Sequence, residues 1–373
     1  NLEIASQKVV QKGGCGGVDH MSVATWAEKE RKHLLALRNQ LINNTYRSKP
    51  VLRKLIPKPG STKQRKLGIP AVADRVCQQA VLNVLRPVFE EYFHENSHGF
   101  RPNRSTHTAA QRVVALRKAG YRTVVDLDIR EFFDRVDRDT LMKLVRMVVK
   151  DRRVLGLIRG WLSAGIMEEG KVRYQTSGTP QGGVISPLLS NIYLTPLDNA
   201  LSDAGYHFVR YADDVAILCR NKKEAESALD LVRRVLTRLK LELNEEKTHV
   251  TSFAKGFDFL GFHFGRRSKG IGSKSLLSFH AKVREITKRH QGDIPATQVI
   301  DKLNPVIRGW GNYHRQGQNK GRFKVLDRWI RKRMRSYINK CWRKHNTPSN
   351  SELALMGLIT LSNKPEQLQL MLK

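Results

Sequence analysis

Between His207 and Arg220 two short apolar runs, Phe208-Val209 and Val215-Ala216-Ile217-Leu218, flank Tyr211-Ala212-Asp213-Asp214. Few arrangements are open to such a segment. Short β-branched runs read as strands, and acids between them read as the tip of a hairpin. Adjacent carboxylates repel, and beside apolar strands they are costly unless a cation or an arginine neutralises them. A second acidic cluster, Asp126-Leu127-Asp128-Ile129-Arg130-Glu131-Phe132-Phe133-Asp134, follows a strand over residues 121–127. Alternation along that strand puts Asp126 and Asp128 on one face.

These acids stand out because the chain is otherwise cationic. Its 373 residues hold 67 Lys and Arg against 34 Asp and Glu, a net charge of +33. A surplus of that size repels itself in a compact state, and a polyanion is the natural partner to relieve it. The surplus is concentrated late in the chain, where residues 266–345 carry 22 Lys and Arg against four acids. There Phe323, Leu326, Ile330, Met334, Tyr337 and Cys341 repeat at spacings of three and four, which predicts an amphipathic helix. Arg328, Arg331, Lys332 and Arg335 lie on its other side. Basic surface interleaved with Trp310, Tyr313, Trp329 and Trp342 fits nucleic acid.

A length of 373 residues exceeds one typical domain. Residues 1–17 read as a polar start ending in a glycine-rich hinge, and 22–41 as one helix. Residues 46–70 read as short strands around a turn at Lys58-Pro59-Gly60-Ser61. Residues 74–93 read as a helix with Val76, Ala80, Val81, Val84, Leu85 and Val88 on one face, and 139–149 as another helix. This alternation predicts an α+β or α/β core. Cys15, Cys77, Cys219 and Cys341 are widely spaced, which argues against a disulfide framework or zinc module and for a reducing, cytoplasmic setting. No apolar run approaches the ~20 residues of a membrane span, so no membrane partner is expected. The start at Asn1 points to numbering that begins inside a longer or processed chain.

Clustered carboxylates suit magnesium, a hard cation that takes oxygen ligands and commonly shares them with substrate phosphates. Two such ions roughly 4 Å apart can activate an attacking hydroxyl and hold a leaving oxygen. An Asp-Asp pair read alone is equally an ordinary acidic turn. Its company decides the matter. Tyr211-Ala212-Asp213-Asp214 resembles the YxDD signature of reverse transcriptases, and Asp128 to Asp134 their first metal-binding motif. Gly178-Thr179-Pro180-Gln181-Gly182-Gly183-Val184-Ile185-Ser186-Pro187 resembles the PQG motif, followed by a Leu188–Leu194 stretch similar to the bacterial group II intron version. Ile56-Pro57-Lys58 with Arg65–Pro70, Ser97–Ser105, Phe259-Leu260-Gly261-Phe262 and the maturase-like Ile307–Arg315 follow in family order. Together they cover nearly the whole chain.

The resemblance, to bacterial group II intron-encoded reverse transcriptases and maturases of the compact type without an endonuclease, implies a right-hand polymerase. In this α+β architecture, residues 1–16 would be the remnant of an N-terminal extension, 17–118 the fingers, and 119–263 a palm built on an antiparallel sheet. A basic helical thumb over 264–345 and a short segment over 346–373 would follow. The resemblance also implies that Asp128, Asp213 and Asp214 hold two Mg2+ ions, with the Ile129 backbone carbonyl as a further ligand and Mn2+ as a substitute. Asp126 and Asp134 stay outside the catalytic set. Lys58, Arg65, Phe133 and Gln181 would contact the nucleotide, Phe133 as an aromatic gate against a ribose 2′-hydroxyl. Arg101, Arg104, Arg308, Trp310, Tyr313, His314, Arg328, Arg331 and Arg335 would touch template or primer. The implied partners are an RNA template, a DNA or RNA primer, the RNA–DNA hybrid and a group II intron RNA. A domesticated relative serving repair or defence, and a splicing factor without polymerase activity, remain open from the sequence; neither oligomeric state nor organism can be read from it.

Overall fold

The computed structural model describes residues 1–57, 64–174, 177–179, 182–288, 294–341 and 347–362. The chain divides into two compact units, Asn1–Ser252 and Phe253–Lys373.

The first unit begins with a helix where the sequence predicts only a polar segment. Helix α1 (Leu2–Lys12) packs against α4, introduced below, and buries Ala5, Ser6 and Val9. Two of these three are apolar, and the half-buried Leu2 and Val10 pack beside them. The third, Ser6, is fully buried because its hydroxyl donates to Glu30 and accepts from the Trp26 indole. The single helix expected over 22–41 is two, α2 (Val23–Glu28) and α3 (Glu30–Ile42), parted where Lys29 leaves helical geometry. Strands β1 (Val51–Pro57) and β2 (Gln64–Ile69) form an antiparallel pair with Leu52 opposite Ile69. Helix α4 (Val72–Glu90) follows. It buries Val76, Ala80 and Leu85 as expected, but leaves Val84 and Val88 exposed and buries Cys77, Leu82 and Phe89 instead. The helix meets α1 as well as the later helix α9, so its buried stripe is wider and rotated relative to a single apolar face.

Helix α5 (Thr106–Lys118) starts at a Ser105–Thr108 capping box. Strand β3 (Thr123–Leu127), the short helix α6 (Phe132–Arg135), α7 (Arg138–Val148) and α8 (Arg152–Ser163) come next. Strands β4 (Ile166–Glu168) and β5 (Lys171–Arg173) extend the first sheet to the order β2-β1-β4-β5. Helix α9 (Ser186–Asp203), β6 (His207–Tyr211), β7 (Asp214–Cys219), α10 (Lys222–Arg238) and β8 (His249–Ser252) complete the unit. The second sheet runs β6-β7-β3-β8, antiparallel throughout. Residues 215–219 of β7 are all solvent-inaccessible. Because successive side chains point to opposite faces, both faces of this strand are covered. Helices α5 and α10 pack on β7, and α9 on β6.

The second unit opens with a three-stranded antiparallel sheet of β9 (Phe257–Phe259), β10 (Phe262–Phe264) and β11 (Lys269–Ile271). Helices α11 (Ser273–Ile286), α12 (Ala296–His314), α13 (Lys320–Cys341) and α14 (Asn350–Leu355) follow. Phe323, Leu326, Ile330, Met334 and Tyr337 of α13 are buried at the predicted spacing.

Candidate active site

Strand register brings the two acidic clusters together. In the β3–β7 pair Leu127 lies opposite Val215, so Asp128, one residue on, falls beside Asp214 at the start of β7. Asp213 sits in the turn between β6 and β7, where Tyr211 pairs with Asp214 and Ala212 adopts a left-handed backbone at φ 58°. The electrostatics register this crowding. The Asp214 carboxyl is pushed up to about 6 by its enclosure and then by the charges of Asp213, Asp126 and Asp128. Its side chain still reaches solvent, so the neighbouring charges are the firmer of those causes. Burial, then Asp128, also raises Asp213, with Arg65 and Arg210 pulling the other way.

Asp128 is held from the chain that enters β8. One carboxylate oxygen accepts from the Asn244 side-chain amide at 3.1 Å and the other from the Lys247 ammonium at 3.4 Å. The backbone joins in, with Asn244 N–H donating to the Asp128 carbonyl and Arg130 N–H to the Glu242 carbonyl. Ile129 pairs with Leu243 between these two bonds, and neither uses the Ile129 carbonyl. Among the described residues no three Asp, Glu, His or Cys side chains already converge as a metal-binding group. Even so, this is an all-oxygen donor set whose members repel one another, and a divalent cation would relieve that repulsion. The Lys247 ammonium also supplies positive charge to Asp128.

Arg65 of β2 lies close enough to lower the pKa of both Asp213 and Asp214. Lys58 and Gln181 lie outside the described residues. Phe132 and Phe133 divide their roles: Phe132 is core, packed on Tyr193, while Phe133 is half-buried. The Phe133 carbonyl accepts from Thr179 N–H at 2.8 Å, and the Val136 carbonyl accepts from Gly178 N–H. Arg138 donates to the carbonyls of Ser177 and Gly178. Gly182, at φ +115°, lies so near β2 that a Cβ there would come within 2.4 Å of the Gly68 carbonyl. Gln78 on α4 accepts from Val184 N–H and Ile185 N–H.

Sequence comparisons show the family. The family pattern described as reverse transcriptase (RNA-dependent DNA polymerase) matches residues 56–264, more than half the chain. The chain belongs to the reverse transcriptase family. The group II intron maturase-specific domain matches residues 276–353. This reverse transcriptase is 34% identical over 301 residues to protein YkfC of Escherichia coli, covering 70% of the chain and 79% of the relative. It is 38% identical over 223 residues to the group II intron-encoded protein LtrA of Lactococcus lactis, covering 60% of the chain but only 36% of that relative. Nuclear intron maturase 1, mitochondrial, of Arabidopsis thaliana is 44% identical over 93 residues, 25% of the chain and 13% of the relative. Among solved structures, telomerase from Candida albicans aligns at a TM-score of 0.49 and 13% identity over 90% of the chain and 68% of its own. Members of the reverse transcriptase family are RNA-directed DNA polymerases of right-hand architecture that use divalent metal ions. Among the described residues no helix is long and apolar enough to cross a membrane.

The residues expected to touch template or primer separate into two groups in this reverse transcriptase. Arg308 and Arg328 are exposed, and Arg331 is half-buried. Arg101 is buried instead, its guanidinium committed to Glu90 and to the carbonyls of His94 and Ser97. His314 has no solvent exposure and bonds the Ser275 hydroxyl at 2.9 Å. For both, the expectation of direct nucleic-acid contact is corrected to an interior role, because every exposed route to the side chain is closed. Trp310 stacks on Phe279, and Tyr313 stacks on Phe262 and donates to the Leu260 carbonyl, so these rings chiefly pack the second unit. Arg104 donates to the Glu95 carbonyl, and Arg335 to Pro348 and Asn350. Asn244, Lys247, Gln78 and Arg138 escaped the sequence reading. In Leu243–Thr248 the charges read as an ordinary solvated turn, and nothing local marks which one faces an acid on another strand.

Proposed function

We propose that this reverse transcriptase extends a primer 3′-hydroxyl with deoxynucleoside triphosphates on an RNA template, and that Asp128, Asp213 and Asp214 are its catalytic acids. The carrying observation is the β3–β7 register that sets three mutually repelling carboxylates at adjacent strand ends. In this reading Asp128 and Asp213 bind two magnesium ions, for which manganese can substitute. Asp214 assists, and the Ile129 carbonyl adds a neutral oxygen. Bound there, the ions would supply the charge that activates the attacking hydroxyl and stabilises the departing pyrophosphate. Asn244 and Lys247 orient the Asp128 carboxylate. Arg65 offers its planar fork to the triphosphate, joined by Lys58 and Gln181 at the nucleotide. Phe133, braced at its carbonyl by Thr179, bars a ribose 2′-hydroxyl.

Residues 17–118, 119–263 and 264–345 serve as fingers, palm and thumb. The partners are the RNA template, a DNA or RNA primer and their hybrid, held by generic cationic surface because base pairing supplies the sequence information. The maturase-specific match over 276–353 supports a further role in binding a group II intron RNA during splicing. Run-off extension tests the reading. A defined RNA template, a labelled primer, dNTPs and Mg2+ should give a DNA of template length, lost on adding EDTA. Intact RNA binding with no extension would move the function to a non-enzymatic splicing factor.

A further inference from the structure

Directly beneath the catalytic turn lies a polar network that the chemistry above does not use. Arg210, the last residue but one of β6, and Asp198 on α9 have no solvent exposure. The guanidinium grips Asp198 through two parallel bonds, Nε to Oδ1 at 2.7 Å and Nη2 to Oδ2 at 2.5 Å. Its remaining arm, Nη1, donates to Asn191 Oδ1 at 2.9 Å and to the Ala212 carbonyl at 3.0 Å. Asn191 in turn donates to the Gly99 carbonyl at 2.8 Å. Gly99 closes the other side of the turn, so near that a Cβ there would meet Ala212 N at 2.3 Å. The Arg210 backbone is also pinned, its N–H to the Asn96 carbonyl and its carbonyl by the His98 N–H.

We propose that Arg210, Asp198 and Asn191 form a positioning clamp that sets the peptide joining Ala212 to Asp213, and with it the direction of the Asp213 carboxylate. The inference rests on Asp213 being a catalytic acid. A fully buried ion pair is weak grounds for stability, since apolar replacements of similar volume often fold as well. Geometry is what this pair can supply. Ala212 holds a left-handed backbone that a residue with a Cβ avoids, and such a conformation persists only where the surroundings over-determine it. Here they do so from both sides, with Arg210 holding the carbonyl and Gly99 packed against the amide. The fork matters as much as the charge, because one guanidinium must reach Asp198, Asn191 and Ala212 together, and an ammonium cannot.

The test replaces the pair by an apolar one, Arg210→Met with Asp198→Leu, and follows thermal unfolding, template–primer affinity and single-nucleotide extension. We expect near-normal unfolding and affinity, a fall in kcat of about 100-fold, the scale of a misplaced reacting group, and little change in KM for dNTP. The single variant Arg210→Lys should recover only a small part of the rate. A folded double variant with wild-type kcat would overturn the clamp and leave an ordinary core ion pair. Should the double variant fail to fold, Asn191→Leu decides: a fall in kcat of about tenfold at constant KM upholds the clamp, and an unchanged kcat overturns it. Asp213→Asn is run alongside. An inactive Asp213→Asn with an unimpaired double variant refutes the clamp alone, whereas extension surviving in Asp213→Asn refutes the reading on which it rests.

Discussion

Asp74 on α4 offers a prediction whose sign and size follow from its surroundings. It is 3% exposed, accepts from the Tyr46 hydroxyl at 2.5 Å and the Lys49 amide at 3.1 Å, and Tyr46 accepts in turn from the Trp161 indole. Burial is the chief cause that pushes its carboxyl from 3.8 to about 6, outweighing the hydrogen bonds that favour the charged form. A carboxyl whose pKa is raised on folding favours the protonated native state. The stability it contributes is therefore complete below the unfolded value and is lost as pH rises through about 6. The whole displacement corresponds to roughly 3 kcal/mol, of which about 1 kcal/mol falls between about pH 5 and pH 7. Asp74→Asn removes the titration. It leaves an amide N–H₂ facing one of the two donors, a constant cost of about 1 kcal/mol. Urea unfolding of both proteins at several pH values should show the variant gaining on wild type by about 1 kcal/mol from about pH 5 to 7, with unchanged m. A difference that is flat, or that favours wild type increasingly as pH rises, would refute burial as the dominant influence on Asp74.

Two further outcomes concern Gln78, which holds the amides of Val184 and Ile185, and Phe133, whose carbonyl holds Thr179. Gln78→Met strands the amides of Val184 and Ile185, which should cost about 1–3 kcal/mol in urea unfolding and raise KM for dNTP; an unaltered KM would disconnect Gln78 from nucleotide binding. Phe133→Ala should raise incorporation of ribonucleotides relative to deoxynucleotides by about tenfold or more, the scale of one lost apolar contact or clash. Unchanged discrimination in matched single-nucleotide assays would remove Phe133 as the gate.

The elements that were legible in the sequence carry their own local signal: unbroken apolar runs beside acids for β3, β6 and β7, and spacings of three and four for α13. The β6–β7 hairpin, β3 and α13 all lie where apolar spacing predicted them. Helix α1 has Leu2, Ala5 and Val9 at helical spacing, but its stripe is short and runs through Ser6, whose burial depends on Trp26 and Glu30 from other helices. The break at Lys29 likewise falls inside a continuous helix-forming composition. At the site, the acidic clusters stood out because carboxylates are anomalous in so basic a chain, and the resemblance to reverse transcriptases singled out Asp128, Asp213 and Asp214 among them. Their supports could not, since Lys247, Asn244 and Arg210 look like any other polar residues until strand pairing places them. Arg101 and His314 show the converse: residues of binding character whose neighbours enclose them.

The claim that Asp128, Asp213 and Asp214 form the catalytic set is tested most directly by single-turnover extension on an RNA template with each changed in turn to Asn, with template–primer affinity measured on the same preparations. Asp128→Asn and Asp213→Asn should lose extension by about 1000-fold or more, as expected where charge stabilisation carries the reaction, with Asp214→Asn also impaired and affinity retained in all three. Extension at near wild-type rate in Asp128→Asn or Asp213→Asn would contradict it.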